Sequence, residues 1–172
     1  MKKAAFLFFF SLIAFFGLLG GQQSLQAQVT ILFPAQSEGE QCSFVDIPVS
    51  IIGPVTLVGV QFTVKWDASE LEFIGLGRSD FPDIDGNSFG TRRTDEGLLT
   101  FLWYDPYLNG VDVSTEKTFF TIRLKIHAKP QSTASLRISD DPTPIVGYGT
   151  DGQINNITSN IATVLVLEEA EH

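Results

Sequence analysis

The chain has 172 residues, with 11 Lys and Arg against 20 Asp and Glu, a formal net charge of −9, two histidines and one cysteine. That acid excess argues against nucleic acid or an anionic membrane surface as partner, and a lone cysteine excludes an intrachain disulfide. Stability must come from a buried core, which a chain of this length can supply as one domain.

Residues 1–27 read as a secretory signal peptide. Lys2 and Lys3 precede an apolar run from Ala4 to Leu19, and small and polar residues follow up to Ala27. A charged start, an apolar stretch and a small-residue cleavage zone are the marks of export, and the run of 16 residues falls short of the roughly 20 that a spanning helix needs. Cleavage after Ala27 removes Lys2 and Lys3 and leaves 145 residues with a net charge of −11. The expectation is a secreted domain over residues 28–167 with a short acidic tail at 168–172 and no stable membrane insertion.

From residue 28 onward the pattern is one of short β-rich runs separated by turn residues. Residues 29–33 form the first. In 44–52, Val45, Ile47, Val49 and Ile51 share one face, and Pro48, which cannot donate to a ladder, predicts an edge or a bulge. Cys42, just before that run, is expected to be a small buried hydrophobe. In the stretch 57–66, Val58, Val60, Phe62, Val64 and Trp66 alternate with Gly59, Gln61, Thr63 and Lys65, which describes a strand with one buried face. Asp67 then caps a turn, and Leu71 and Phe73 re-enter the core in a run to Leu76. Residues 97–104, 117–127, 134–139 and 161–167 complete the set, with Phe120, Ile122, Leu124 and Ile126 on one face of their strand. Eight or nine strands at this spacing, without crossover helices, predict an all-β fold: a single-domain antiparallel jelly-roll sandwich.

Catalytic chemistry finds little support. His127 ends a strand, His172 ends the chain, and neither lies near a Ser or Cys motif from which a triad could be built. The acids are too many to single out a glycosidase pair. The stretch SDFPDIDGNSFG holds Asp80, Asp83, Asp85 and Asn87. Read as an EF-hand loop, it would place Phe81 at the first ligand position and Arg92 where the bidentate Glu belongs. A surface turn without metal is the expectation, and no cofactor is expected.

The run GVQFTVKWDASELEF resembles the G-x-x-F-x-hydrophobic-x-aromatic-Asp-x-x-x-Leu-x-Phe signature of cohesin domains, and GLLTFLWYD and TFFTIRLKI stand where that family places its sixth and seventh strands. The resemblance covers residues 29–167. It implies a non-catalytic receptor that binds dockerin modules, small helical domains carrying their own calcium, and so attaches polysaccharide-degrading enzymes to a scaffold or cell surface. It also implies a docking surface on the outward side of the third strand and on parts of the fifth and sixth. Carried onto this sequence, the outward positions are Gly59, Gln61, Thr63 and Lys65; Gln61 can offer the amide hydrogen bonds found there in many cohesins, and Gly59 cannot.

The strand 97–104 points to the same region independently. Leu99, Phe101 and Trp103 face one way, and Leu98, Thr100, Leu102 and Tyr104 the other. Both faces are mostly apolar, so one lines the core and the other needs a cover, either a partner or the loop DPYLNGVDV. Phe101, Trp103 and Tyr104 are the candidate aromatic anchors. A carbohydrate-binding module is the alternative, with Trp103, Tyr104 and Tyr107 stacking on a polysaccharide.

Overall fold

Alternating apolar residues close onto one another as two facing sheets. The computed structural model describes residues 28–168; the expected signal segment, and residues 169–172 of the expected tail, lie outside the described residues. One sheet contains β1 (Gln28–Leu32), β3 (Phe44–Ile52), β5 (Leu71–Gly77), β9 (Lys117–Ile126) and β13 (Asn156–Ser159), in the order β13-β1-β3-β9-β5. The other contains β2 (Gln36–Glu40), β4 (Thr56–Trp66), β6 (Phe89–Gly90), β7 (Leu98–Tyr104), β8 (Val111–Asp112), β10 (Thr133–Ser139), β11 (Val146–Gly149), β12 (Gly152–Ile154) and β14 (Ile161–Leu167).

The expected jelly-roll sandwich is present, with fourteen described strands rather than eight or nine. Two pairings, β1 with β13 and β14 with β2, are parallel rather than antiparallel. The extra strands are short or polar. β2 reads QSEGE and is held at the sheet edge along β14, so no hydrophobic alternation announces it.

Between the sheets lies a phenylalanine-rich core. Phe62, Phe101, Phe119 and Phe120 are fully buried, and the Phe62 and Phe101 rings sit 5.1 Å apart, a separation favourable for tilted aromatic pairs. Phe119 and Phe120 both reach the core because the register shifts between Val49 and Ser50 on β3, which leaves Phe119 as an extra residue on β9. That bulge adjoins Pro48. β1 pairs only with Ser50–Ile52, so β3 is central in its sheet yet has no described strand beside Pro48 on that side. A missing N–H is tolerated there.

Two sequence expectations are corrected. Val58 is only half-buried, and Leu57 takes its place in the core. On β11 the register shifts between Tyr148 and Gly149, which oppose Gly59 and Leu57; one extra residue on β4 inverts which side chains face inward. Cys42 is exposed, not buried. It occupies the turn between β2 and β3 with φ of 67°, and its N–H donates to the Ile126 carbonyl at 2.8 Å. The turn places its backbone there and turns the thiol away from the core.

Candidate docking face

The outer face of the larger sheet is organised by β4, which β10 and β11 flank on one side and β7 and β8 on the other. β10 and β11 act as one strand interrupted by residues 140–145. Register places Tyr148, Gly59 and Tyr104 in one row across the face and Val146, Gln61 and Leu102 in the next. Ser139, Thr63 and Thr100 follow, then Arg137, Lys65 and Leu98.

β7 resolves the ambiguity of its two apolar faces. Leu99, Phe101 and Trp103 point into the core, whereas Leu102 and Tyr104 are 49% and 64% exposed. Phe101 and Trp103, named above as candidate anchors, are therefore core residues, each 1% exposed. The Trp103 Nε1–H donates to the Pro82 carbonyl at 2.8 Å, which satisfies the one polar group its burial would otherwise strand. Tyr104 alone of the three faces outward.

The β4 candidates divide. Gly59 is buried between the flanking tyrosines, and a Cβ there would meet the Tyr104 Cβ at 3.6 Å, an ordinary contact. The fold does not demand a glycine at this position. Thr63 is fully buried under residues 140–145: its hydroxyl donates to the Thr143 carbonyl at 3.3 Å and accepts the Thr143 N–H at 3.1 Å. Gln61 donates to the Pro144 carbonyl at 3.2 Å, and the Lys65 ammonium meets the Asp141 carboxylate at 2.7 Å. The Lys65 hydrogen bond and charge hold the Asp141 carboxyl below its ordinary pKa. All three polar candidates on β4 are thus engaged by the chain's own loop.

Of the two covers considered for β7, the loop is not one: Leu102 and Tyr104 stay exposed. The Asp105 carboxylate accepts the N–H groups of Tyr107 at 2.9 Å and Gly110 at 2.6 Å, which folds 105–110 tightly on itself. These backbone donors, Gly110 first, pull the Asp105 pKa down against the opposing effect of burial. Tyr107 and Leu108 project into solvent beside Tyr104. Tyr148, 48% exposed, completes the patch from the other side of Gly59. Sequence reading overlooked Tyr148, since VGYG is too short and too rich in glycine to register as a strand; an aromatic set between two glycines was the available signal.

An uncovered aromatic and aliphatic patch on the face of one sheet is the mark of a β-sandwich binding module. A family model described as cohesin domain matches residues 31–166, and the chain belongs to the cohesin family. Solved structures share the fold at low identity. The seventh ScaB type I cohesin of Pseudobacteroides cellulosolvens is 17% identical with a TM-score of 0.68, over 84% of this chain and 97% of that one. The sixth cohesin of Acetivibrio cellulolyticus scaffoldin B, solved with a Cel5 dockerin mutant, is 22% identical with a TM-score of 0.66, over 81% and 99%. A non-cellulosomal cohesin from the archaeon Archaeoglobus fulgidus is 14% identical with a TM-score of 0.59, over 81% and 91%. No curated protein matches the chain.

Proposed function

We propose that this protein is an exported, non-catalytic receptor that docks a dockerin-type module on the outer face of its larger sheet, with calcium carried by the partner. The observation that carries this reading is the exposed set Leu102, Tyr104 and Tyr148 around Gly59, at the centre of the sheet and left open by the chain's own loops. Isolated exposed apolar residues are ordinary, but a contiguous aromatic patch marks an interaction surface. Tyrosines supply much contact area at little entropic cost and recur as binding hot spots. Gly59 lies buried between the two tyrosines, so the rings themselves form the contact surface there.

The contact differs from the expected one. Gln61, Thr63 and Lys65 are engaged by residues 140–145, so Leu102, Tyr104 and Tyr148 provide the main area, with Gln61 and Lys65 at its margin. The test is calorimetric titration with dockerin modules encoded in the same genome. Leu102→Asp should weaken capture by about 2 kcal/mol or more through a buried unpaired charge, with the unfolding midpoint unchanged. A chain that bound no such module, or was retained instead by cellulose, chitin or xylan, would be a carbohydrate-binding module or another kind of receptor.

A further inference from the structure

Beyond the apolar patch, the same face ends in a cleft of about 600 Å³ lined by Lys65, Asp67, Glu96, Leu98, Ser135 and Arg137, among others. Lys65 and Arg137 are the only basic residues on the described strands of this sheet, and they stand directly opposite each other on β4 and β10. Like charges at directly opposed positions destabilise a sheet. Asp141 relieves this repulsion on the Lys65 side alone.

Every other charged group lining the cleft has a partner. Lys65 is neutralised by Asp141. Asp67 accepts the backbone N–H and the hydroxyl of Ser69, at 2.8 and 2.6 Å. Glu96 is gripped by the Arg93 guanidinium through two nitrogens, at 3.0 and 2.6 Å. Arg137 is exposed and makes no ion pair or side-chain hydrogen bond among the described residues. Arg137 stands on the row of the docking face that Lys65 and Leu98 continue.

We infer that Arg137 receives an Asp or Glu side chain of the docked partner, in the cleft between the Asp67 turn and the Arg93–Glu96 pair. A guanidinium offers paired donors that match both oxygens of a carboxylate. Asp141 screens Lys65, so Arg137 is the unneutralised cation that the incoming acid meets. The partner is thereby held at two points, by apolar area at Leu102, Tyr104 and Tyr148 and by charge at Arg137. This assignment rests on the docking reading above.

The experiment titrates the protein and its Arg137→Gln, Arg137→Glu and Leu102→Asp variants with the dockerin modules used above. Arg137→Glu should weaken binding by about tenfold or more, and Arg137→Gln by less. The wild-type affinity should fall more steeply with added salt than that of Arg137→Gln. Replacing the matching partner acid by Arg should restore binding to Arg137→Glu. If Leu102→Asp lost binding while Arg137→Glu and its salt dependence matched the wild type, the inference would fall and the docking reading would stand. If no dockerin module bound the wild type, both would fall.

Discussion

Trp66 shows how much a single side chain carries here. It is 7% exposed, stacks on Phe73 with ring centroids 6.5 Å apart, and its Nε1 has no hydrogen-bond partner. Removing a buried aromatic costs about 3–5 kcal/mol, so Trp66→Ala should lower the urea midpoint sharply. Trp66→Phe keeps most of the ring and deletes an unpaired donor whose burial costs about 1–3 kcal/mol, so its loss should be far smaller. Equal losses in the two variants would show that the indole nitrogen is satisfied. Gly97, just before β7, is a second such residue. Its φ is 76°, and a Cβ would collide with the Trp66 carbonyl oxygen. Gly97→Ala should therefore cost more than the roughly 1–2 kcal/mol of left-handed strain alone, as read in the same unfolding assay.

At the scale of elements, β4 and the loop 140–145 operate together. The loop interrupts what would be one continuous strand along β4, and its Thr143 backbone is tied to the buried Thr63 hydroxyl at both N–H and C=O. Thr63→Val preserves shape and strands the Thr143 N–H, so stability should fall by about 1–3 kcal/mol. Hydrogen exchange at Thr143 should rise with it; an unchanged rate would mean that the loop is held by other contacts. The acidic turn between β5 and β7 spends its carboxylates locally. Asp80 accepts the Thr118 N–H and pairs with Arg78, and Asp85 accepts the Asn87 N–H. Calcium added to the isolated chain should give no stoichiometric heat, and a micromolar site in calorimetry would reassign this turn.

For the whole molecule, acid should be the destabilising direction. Asp67, Asp80, Glu96, Asp105, Asp112 and Asp141 all have pKa values lowered in the fold, chiefly by the hydrogen bonds they accept. A depressed folded value contributes stability above the unfolded value, about pH 4 for carboxylates, and loses it as pH falls through the folded value. Thermal midpoints should hold from neutrality to about pH 5 and decline below about pH 4. Asp105→Asn should show a lower midpoint at neutral pH and a shallower acid decline. An identical acid profile in that variant would remove Asp105 from the account.

Most of the sandwich was legible in the sequence because alternation over seven or more residues assigns side chains to two faces, one of which must meet the opposite sheet. β10 and β14 follow that rule, and the Asp67 turn forms with the hydrogen bonds its side chain implies. Local pattern cannot register an extra residue on a paired strand, so the bulge that exchanges Val58 for Leu57 was invisible. Nor could it announce β2, where pairing along β14 replaces side-chain burial. The site was legible as a region and not as a residue set. Whether Phe101 or Leu102 faces outward depends on which side of β7 meets the opposite sheet, a contact between residues far apart in the chain. Tyr148 joins Tyr104 across Gly59 only through the register of three strands. Periodicity determined which residues share a face; long-range pairing decided which face is covered and which remains open to a partner.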